Sequence, residues 1–205
     1  MLEAKEISKA YNDRCIIDKI SIVINKGDFV SITGESGKGK TTLLNILGLL
    51  EKPSGGELSI EGIESPSRHQ IMSIQRNLYA YLFQNYALIE NETVESNLNI
   101  ALEYRKGINK KKEIDRALAY VNLDGFANKR IYELSGGEQQ RVALARVFVK
   151  KCSYIFADEP TGNLDKHNSD IVFDILKKLN DMGKAVIFAT HDIEMAQKAE
   201  KQIVL

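Results

Sequence analysis

The sequence predicts an α/β protein built around a buried parallel sheet, and three observations predict it. Short apolar runs at Tyr154–Ala157 and Ala185–Ala189 are bounded by polar residues, as central parallel strands covered on both faces are. Helical patterns at Glu138–Val149 and Ser169–Leu179 alternate with those runs, which implies parallel strands joined by helical crossovers. A glycine-rich turn separates an apolar run, Phe29–Thr33, from a leucine-spaced segment, Thr41–Leu50, so strand, turn and helix follow one another directly.

The elements follow in order. Ile16–Ile24 is dense in isoleucine and valine, a strand composition. Asn25-Lys26-Gly27-Asp28 then reads as a hairpin turn. Leu43, Leu44, Leu47 and Leu50 fall on one buried face of a helix over 41–50. Glu57–Ile60 is a strand after the Pro53–Gly56 turn. Residues from about 92 to 122 read as helices inserted into the sheet. Within them Arg105, Lys106, Lys110, Lys111, Lys112 and Arg116 alternate with Glu103, Glu113 and Asp115, the pattern of a solvated face. The chain ends on Ile203-Val204-Leu205, an edge of further strand.

Composition narrows the class. The 205 residues are 43% hydrophobic, enough for one domain with an insertion. Lys+Arg 28 balances Asp+Glu 28, so the global positive field of a non-specific nucleic-acid binder is absent. Two cysteines, Cys15 and Cys152, make no disulfide scaffold and no metal-type pair, which suits a reducing compartment. The charged start MLEAKEISKAYNDR has no apolar signal segment. The apolar stretch Leu43–Leu50 is interrupted by Asn45 and Gly48 and falls short of the ~20 residues that span a bilayer. Any span has to come from a partner.

The chemistry sits in two motifs. Gly34-Glu35-Ser36-Gly37-Lys38-Gly39-Lys40-Thr41 fits GxxxxGK[ST] and lies between strand and helix, the context that motif requires. Its glycines let consecutive N–H groups curl round phosphate oxygens. The helix N-terminus adds partial positive charge there. Lys40 reaches the β- and γ-phosphates, and the Thr41 hydroxyl can hold Mg²⁺. Tyr154-Ile155-Phe156-Ala157-Asp158-Glu159-Pro160 is the second motif. Its two acids stand at the carboxyl end of a strand, where open α/β sheets bind ligands. Asp158 suits the Mg²⁺ shell, and Glu159 suits polarising a water for in-line attack on the γ-phosphate. Pro160 is expected to hold Glu159 extended. Asn25-Lys26-Gly27-Asp28 also matches the NKxD guanine-reading motif, but it precedes the phosphate loop rather than following it. ATP is therefore expected rather than GTP.

Leu134-Ser135-Gly136-Gly137-Glu138-Gln139-Gln140-Arg141 resembles the signature of ATP-binding-cassette (ABC) ATPases, and the resemblance covers the whole chain, 1–205. It implies a P-loop core with an N-terminal antiparallel β subdomain and a helical subdomain at about 85–150. By the same resemblance, Tyr11 is the aromatic residue that stacks on adenine. Gly34, Ser36, Gly37, Lys38, Gly39, Lys40, Thr41 and Thr42 bind ATP phosphates. Gln84 contacts Mg²⁺ and senses the γ-phosphate, and His191 is the switch histidine. Asp165, in Asn163-Leu164-Asp165, belongs to the D-loop. Thr41, Gln84 and Asp158 form the metal set; Glu159, His191, Gln84 and Lys40 form the catalytic set.

The signature turn makes a second helix N-terminus suited to an anion. The family pairs two cassettes head to tail, so that Ser135 and Gly137 of one subunit close on ATP held by the other, here an identical one. A transmembrane permease is implied too, docking on Asn85–Val94, where some of Tyr86, Leu88 and Ile89 should line a partly exposed groove, the alternative being that they pack into the domain's own core. ADEPTGNLD with LSGGEQQRVALAR is similar to the macrolide-exporter, lipoprotein-releasing and bacteriocin-export branch. The implied function is Mg²⁺-dependent ATP hydrolysis powering export or extraction of a peptide, drug or lipoprotein, by a cytoplasmic subunit peripheral on the inner membrane face. The alternatives are a soluble ABC ATPase acting without a transporter and an inactive regulatory module. Intact Lys40, Asp158, Glu159 and His191 argue against the latter. Neither the paired cassettes nor the long coiled coil of the soluble members is present, and no nucleic-acid partner is expected.

Overall fold

The computed structural model describes residues 1–12 and 14–205. The chain opens with β1 (Leu2–Tyr11) and β2 (Arg14–Ile24), paired antiparallel with Leu2 opposite Ile24. β4 (Gly55–Ile60) pairs antiparallel with the other edge of β1, and β5 (Ile63–Glu64) pairs with β4. The result is a four-stranded sheet in the order β2-β1-β4-β5.

Gly56 is where this sheet needs a glycine. Its φ is +87°, and a Cβ there would lie 2.4 Å from the Glu6 carbonyl oxygen. The β1–β4 register slips between Lys5 and Ser8, so the backbones approach too closely for a side chain. Gly56→Ala should cost about 1–3 kcal/mol, read as a lower urea midpoint at unchanged slope. An unchanged midpoint would mean that the bulge relaxes freely.

The second sheet is the parallel one. β3 (Phe29–Thr33), β6 (Tyr79–Leu82), β7 (Tyr154–Asp158), β8 (Ala185–Ala189) and β9 (Lys201–Val204) lie in the order β6-β7-β8-β3-β9. Every neighbouring pair is parallel. Strand residues alternate between two cores, as a period of two demands. Tyr154, Phe156, Ala185 and Ile187 face α1 (Lys40–Leu47) and the antiparallel sheet. Ile155, Ala157, Val186 and Phe188 face the helical side, where α5 (Gly136–Val149) and α6 (Lys166–Asp181) pack. Burial on both faces is why these strands read as continuous apolar runs rather than alternating ones.

Several sequence expectations change. The turn at Asn25–Asp28 is real, with the Asn25 N–H donating to the Asp28 carboxylate at 2.7 Å, but it is no hairpin. β2 and β3 belong to different sheets, because β3 is already paired by β8 and β9. Helix α1 stops at Leu47, not Leu50. The Gly48 N–H closes the last turn on Leu44, and Leu49 turns left-handed at φ 58°. Strand β6 and helix α2 (Arg68–Asn77) were not foreseen. The helical stretch expected over 92–122 is two helices, α3 (Val94–Leu102) and α4 (Lys110–Tyr120). Arg105 lies between them and is half-buried rather than part of a fully solvated face. It donates to Glu113 at 2.9 Å and to the Val149 carbonyl at 2.8 Å, tying the loop to the end of α5.

A charged staple joins the two sheets. The Glu61 carboxylate accepts the Met1 α-amino group at 2.8 Å, the Tyr154 hydroxyl at 2.7 Å and Lys26 Nζ at 3.0 Å. Burial alone would raise the Glu61 pKa, but these three donors outweigh it and hold the carboxyl at about 2. The group is more acidic folded than unfolded. Its stabilisation is therefore complete above the ordinary value of 4.5 and fades as pH falls towards about 2. Glu61→Gln should flatten the loss of thermal stability across that window. An unaltered acid limb would contradict the staple.

Candidate functional site

Four of the five parallel strands release their chain at the same edge, and each release carries a motif. β3 leads into Gly34–Gly39 and then α1. β6 leads to Gln84, β7 ends on Asp158 and Glu159, and β8 leads to His191. These four strands are contiguous, β6-β7-β8-β3. Parallel pairing therefore brings residues from 34 to 191 to one crevice, as the carboxyl edge of an open sheet does. Tyr11 joins from the end of β1. A cleft of about 460 Å³ is lined by Tyr11, Ser36, Gly37, Gly39, Lys40, Thr41, Thr42, Gln84, Glu159 and His191. An adjoining cleft of about 510 Å³ shares Thr41 and Gln84 and adds Asp158 and Asn163.

Within the loop, Lys40 Nζ donates to the carbonyls of Gly34 at 2.9 Å and Glu35 at 3.2 Å. The lysine thus curls its own loop around the ammonium group. Gly39 has φ +96°, and a Cβ there would meet Ile16 Cγ2 at 2.7 Å, so the helix start must be a glycine. Gly34 lies beneath, contributing its carbonyl. Lys38 points outward, 4.0 Å from the Glu35 carboxylate. Tyr11 is 44% exposed. Its hydroxyl bonds to the Glu51 carboxylate, and Lys9 Nζ lies 4.9 Å from its ring centre.

The two acids behave differently. Asp158 is half-buried and accepts the Thr41 hydroxyl at 3.0 Å. Burial raises its pKa above the ordinary value; the Thr41 bond and Lys40 charge oppose the rise, and the Glu159 charge adds to it. A cation at that oxygen would relieve the desolvation. Threonine hydroxyl and carboxylate are hard oxygen donors, as Mg²⁺ prefers, and Mg²⁺ commonly takes only one or two protein ligands beside water and phosphate. No cluster of three or more His, Cys, Asp or Glu that could hold a metal ion occurs among the described residues. Glu159 accepts or shares a hydrogen bond with His191 Nδ1 at 2.9 Å. Its backbone is not extended as expected from Pro160. It is left-handed at φ 44°, with its N–H donating to the Ala189 carbonyl at 2.9 Å. That bond is the last rung of the β7–β8 ladder, so the left-handed turn begins where β7 leaves the sheet beside the histidine turn.

Other expected site residues lie outside these clefts. Ser135 is the N-cap of α5 and forms a reciprocal capping box with Glu138. Gly137, in the first turn, approaches α6 so closely that a Cβ would lie 2.5 Å from Asn168 Oδ1. Asp165 caps α6 by accepting the Asn168 N–H at 2.8 Å. Asn168 in turn accepts from Arg141 at 2.9 Å, so α5 and the start of α6 are linked side by side. Sequence reasoning did not foresee the Arg141–Asn168 bond, which carries no local signal. Gly162, directly after Ala157–Thr161, reaches the first cleft as well. Tyr86 and Leu88 are half-buried against the helical-side core, and Ile89 is 50% exposed; the groove beside this segment is lined by Phe83 and Ala87 and by none of these three. No described helix is long and apolar enough to cross a membrane.

Residues 17–162 match the family described as ABC transporter. The lipoprotein-releasing system ATP-binding protein LolD of Aquifex aeolicus is 37% identical over 99% of this chain and 92% of its own length. The macrolide export ATP-binding/permease protein MacB of Neisseria meningitidis is 36% identical over 99% of this chain, which spans only 33% of that protein. Among solved structures, the dimeric cassette MJ0796 superposes with a TM-score of 0.90 at 36% identity, covering 100% of this chain and 94% of that one. A second MJ0796 structure, a dimeric post-hydrolysis state bound to ADP and Pi, also gives 0.90, at 35% identity.

Proposed function

This chain belongs to the ABC transporter family, and from that premise we propose how its residues bind and hydrolyse ATP and to what the hydrolysis is coupled. It is an ATP-binding, ATP-hydrolysing transporter subunit of P-loop α/β fold. Tyr11 stacks on adenine. The amides of Ser36, Gly37, Lys38, Gly39 and Thr42 cradle the phosphates, Gly34 opens the loop, and Lys40 neutralises charge at the β- and γ-positions. Thr41, Asp158 and Gln84 would hold Mg²⁺, which would supply positive charge to offset the charge developing on the phosphates. Glu159 takes the proton from the attacking water, and His191 orients Glu159 and contacts the γ-phosphate.

Ser135 and Gly137 close on ATP held by a second copy, with Asp165 at the same head-to-tail interface. Residues 85–150 form an inserted helical subdomain. Beside it runs a groove of about 700 Å³ lined by Leu50, Phe83, Ala87, Ile100 and Tyr104, with six basic side chains and no acidic one. A separate transmembrane permease docks there through the Q-loop region, and the cassette works at the inner membrane face. The relatives named for lipoprotein release and macrolide export favour export or extraction of a lipoprotein, drug or peptide.

The observation that carries this reading is the convergence of Lys40, Thr41, Glu159 and His191 on one cleft while Ser135 and Gly137 lie outside it. Phosphate release from ATP with Mg²⁺, together with affinity purification from gently solubilised native membranes, tests it. The expected result is turnover and co-purification of a permease. Turnover with ribosomal or DNA-bound proteins and no permease would overturn the transport reading.

A further inference from the structure

The segment carrying Gln84 is bonded to helices rather than to the parallel sheet beyond β6. Tyr86 and Ala87 are successive left-handed residues, φ 62° and 48°, a conformation uncommon for side-chain-bearing residues. Their carbonyls both point at one guanidinium. Arg146, in the last turns of α5, donates Nη2 to the Tyr86 carbonyl at 2.8 Å and Nη1 to the Ala87 carbonyl. The fixed fork of arginine matches two adjacent oxygens, which a lysine ammonium does not. The Tyr86 side chain runs towards the opposite end of the same helix, where a Cβ on Gly136 would lie 3.4 Å from its hydroxyl. On the far side, the buried Asn97 accepts the Ile89 N–H at 2.8 Å and donates to the Ile89 carbonyl at 3.2 Å, fixing the loop to α3. Residues 86–89 are therefore tied to α3 and α5. Gln84, two residues before Tyr86, faces the clefts that hold Thr41 and Asp158.

We infer that Tyr86 and Arg146 are positioning residues: together they brace the Gln84 loop along α5, so that displacing the Ser135–Gly137 turn displaces Gln84. This rests on the proposed placement of Gln84 at the nucleotide and of Ser135 on the second copy's ATP. Under it, occupancy of the second copy's site is reported to Gln84 in the first through one rigid helix and one bidentate contact. The bistable element is the position of α5, which both sites bias.

The test uses the full chain in a Glu159→Gln background, with Cys15→Ser and a fluorophore on Asn85→Cys. In the parent, ATP with Mg²⁺ should drive dimerisation and shift the fluorescence. With Tyr86→Ala or Arg146→Lys, ATP affinity and dimerisation should stay within about twofold while the shift is lost. Tyr86 is only partly buried against the helical-side core, and an unchanged thermal midpoint separates loss of positioning from unfolding. With Glu159 restored, each should lower kcat about tenfold at nearly constant KM. The pair together should be no worse than the worse single change, because they break one brace. A shift that persists in both variants, or losses that multiply, would overturn the inference. Ser135→Arg distinguishes the underlying reading. If it spares dimerisation and turnover, the head-to-tail placement fails. If it abolishes both while the Tyr86 and Arg146 variants behave as the parent, only the brace fails.

Discussion

Glu159→Gln is expected to bind ATP as tightly as the parent and to release phosphate about 10²–10⁴ times more slowly. The amide keeps the size and hydrogen-bonding reach of the carboxylate but cannot accept the water's proton. The contact with His191 Nδ1, 2.9 Å in the parent, can still form with the amide. Binding is spared because Lys40 and the loop amides, not Glu159, hold the phosphates. The variant should therefore accumulate with ATP bound and remain dimeric, since the γ-phosphate contacts that close the interface are never removed. Phosphate release and nucleotide affinity, measured side by side, check it. Unchanged turnover would remove Glu159 from the role of general base.

Lys40→Ala is expected to lose nucleotide affinity and turnover together. The ammonium group balances phosphate charge in a confined site, a term commonly worth about 3 kcal/mol or more in such settings. It also donates to the carbonyls of Gly34 and Glu35, so its removal loosens the loop as well as discharging it. Affinity for a fluorescent ATP analogue should fall at least about 100-fold, and turnover should be undetectable. Thermal stability without nucleotide should change little, because the Lys40 contacts are to one exposed loop. Parent-like turnover would contradict the account of the phosphate site.

Much of this was legible because the informative signals were local. The strands β3, β7 and β8 are short apolar runs with polar ends, and their bounds match the sequence pattern within a residue. The phosphate loop and the paired acids identify themselves by composition at fixed spacing. What was not legible depended on distant partners. β6 is only Tyr79–Leu82, too short to stand out until β7 pairs with it. Helix α2 did carry a local signal, since Ser67 and Gln70 form a capping box, but its polar sequence hid any apolar face. Arg105 looks like one more charge in a basic run; only the fold reveals Glu113 and the Val149 carbonyl beside it. The left-handed Glu159 was misjudged for the same reason. A proline rule describes the local chain, whereas this turn sits where β7 leaves its ladder with β8, a place only the fold defines.

The most direct test of the central claim is sedimentation of Glu159→Gln with ATP and Mg²⁺, compared with the same variant carrying Ser135→Arg. Two composite ATP sites predict that the first sediments as a dimer only when ATP is present. They predict that the second, although it still binds ATP, remains a monomer because its signature turn can no longer close on the other copy's phosphates. A dimer that persists with Ser135→Arg, or a Glu159→Gln chain that stays monomeric when saturated with ATP, would contradict the account.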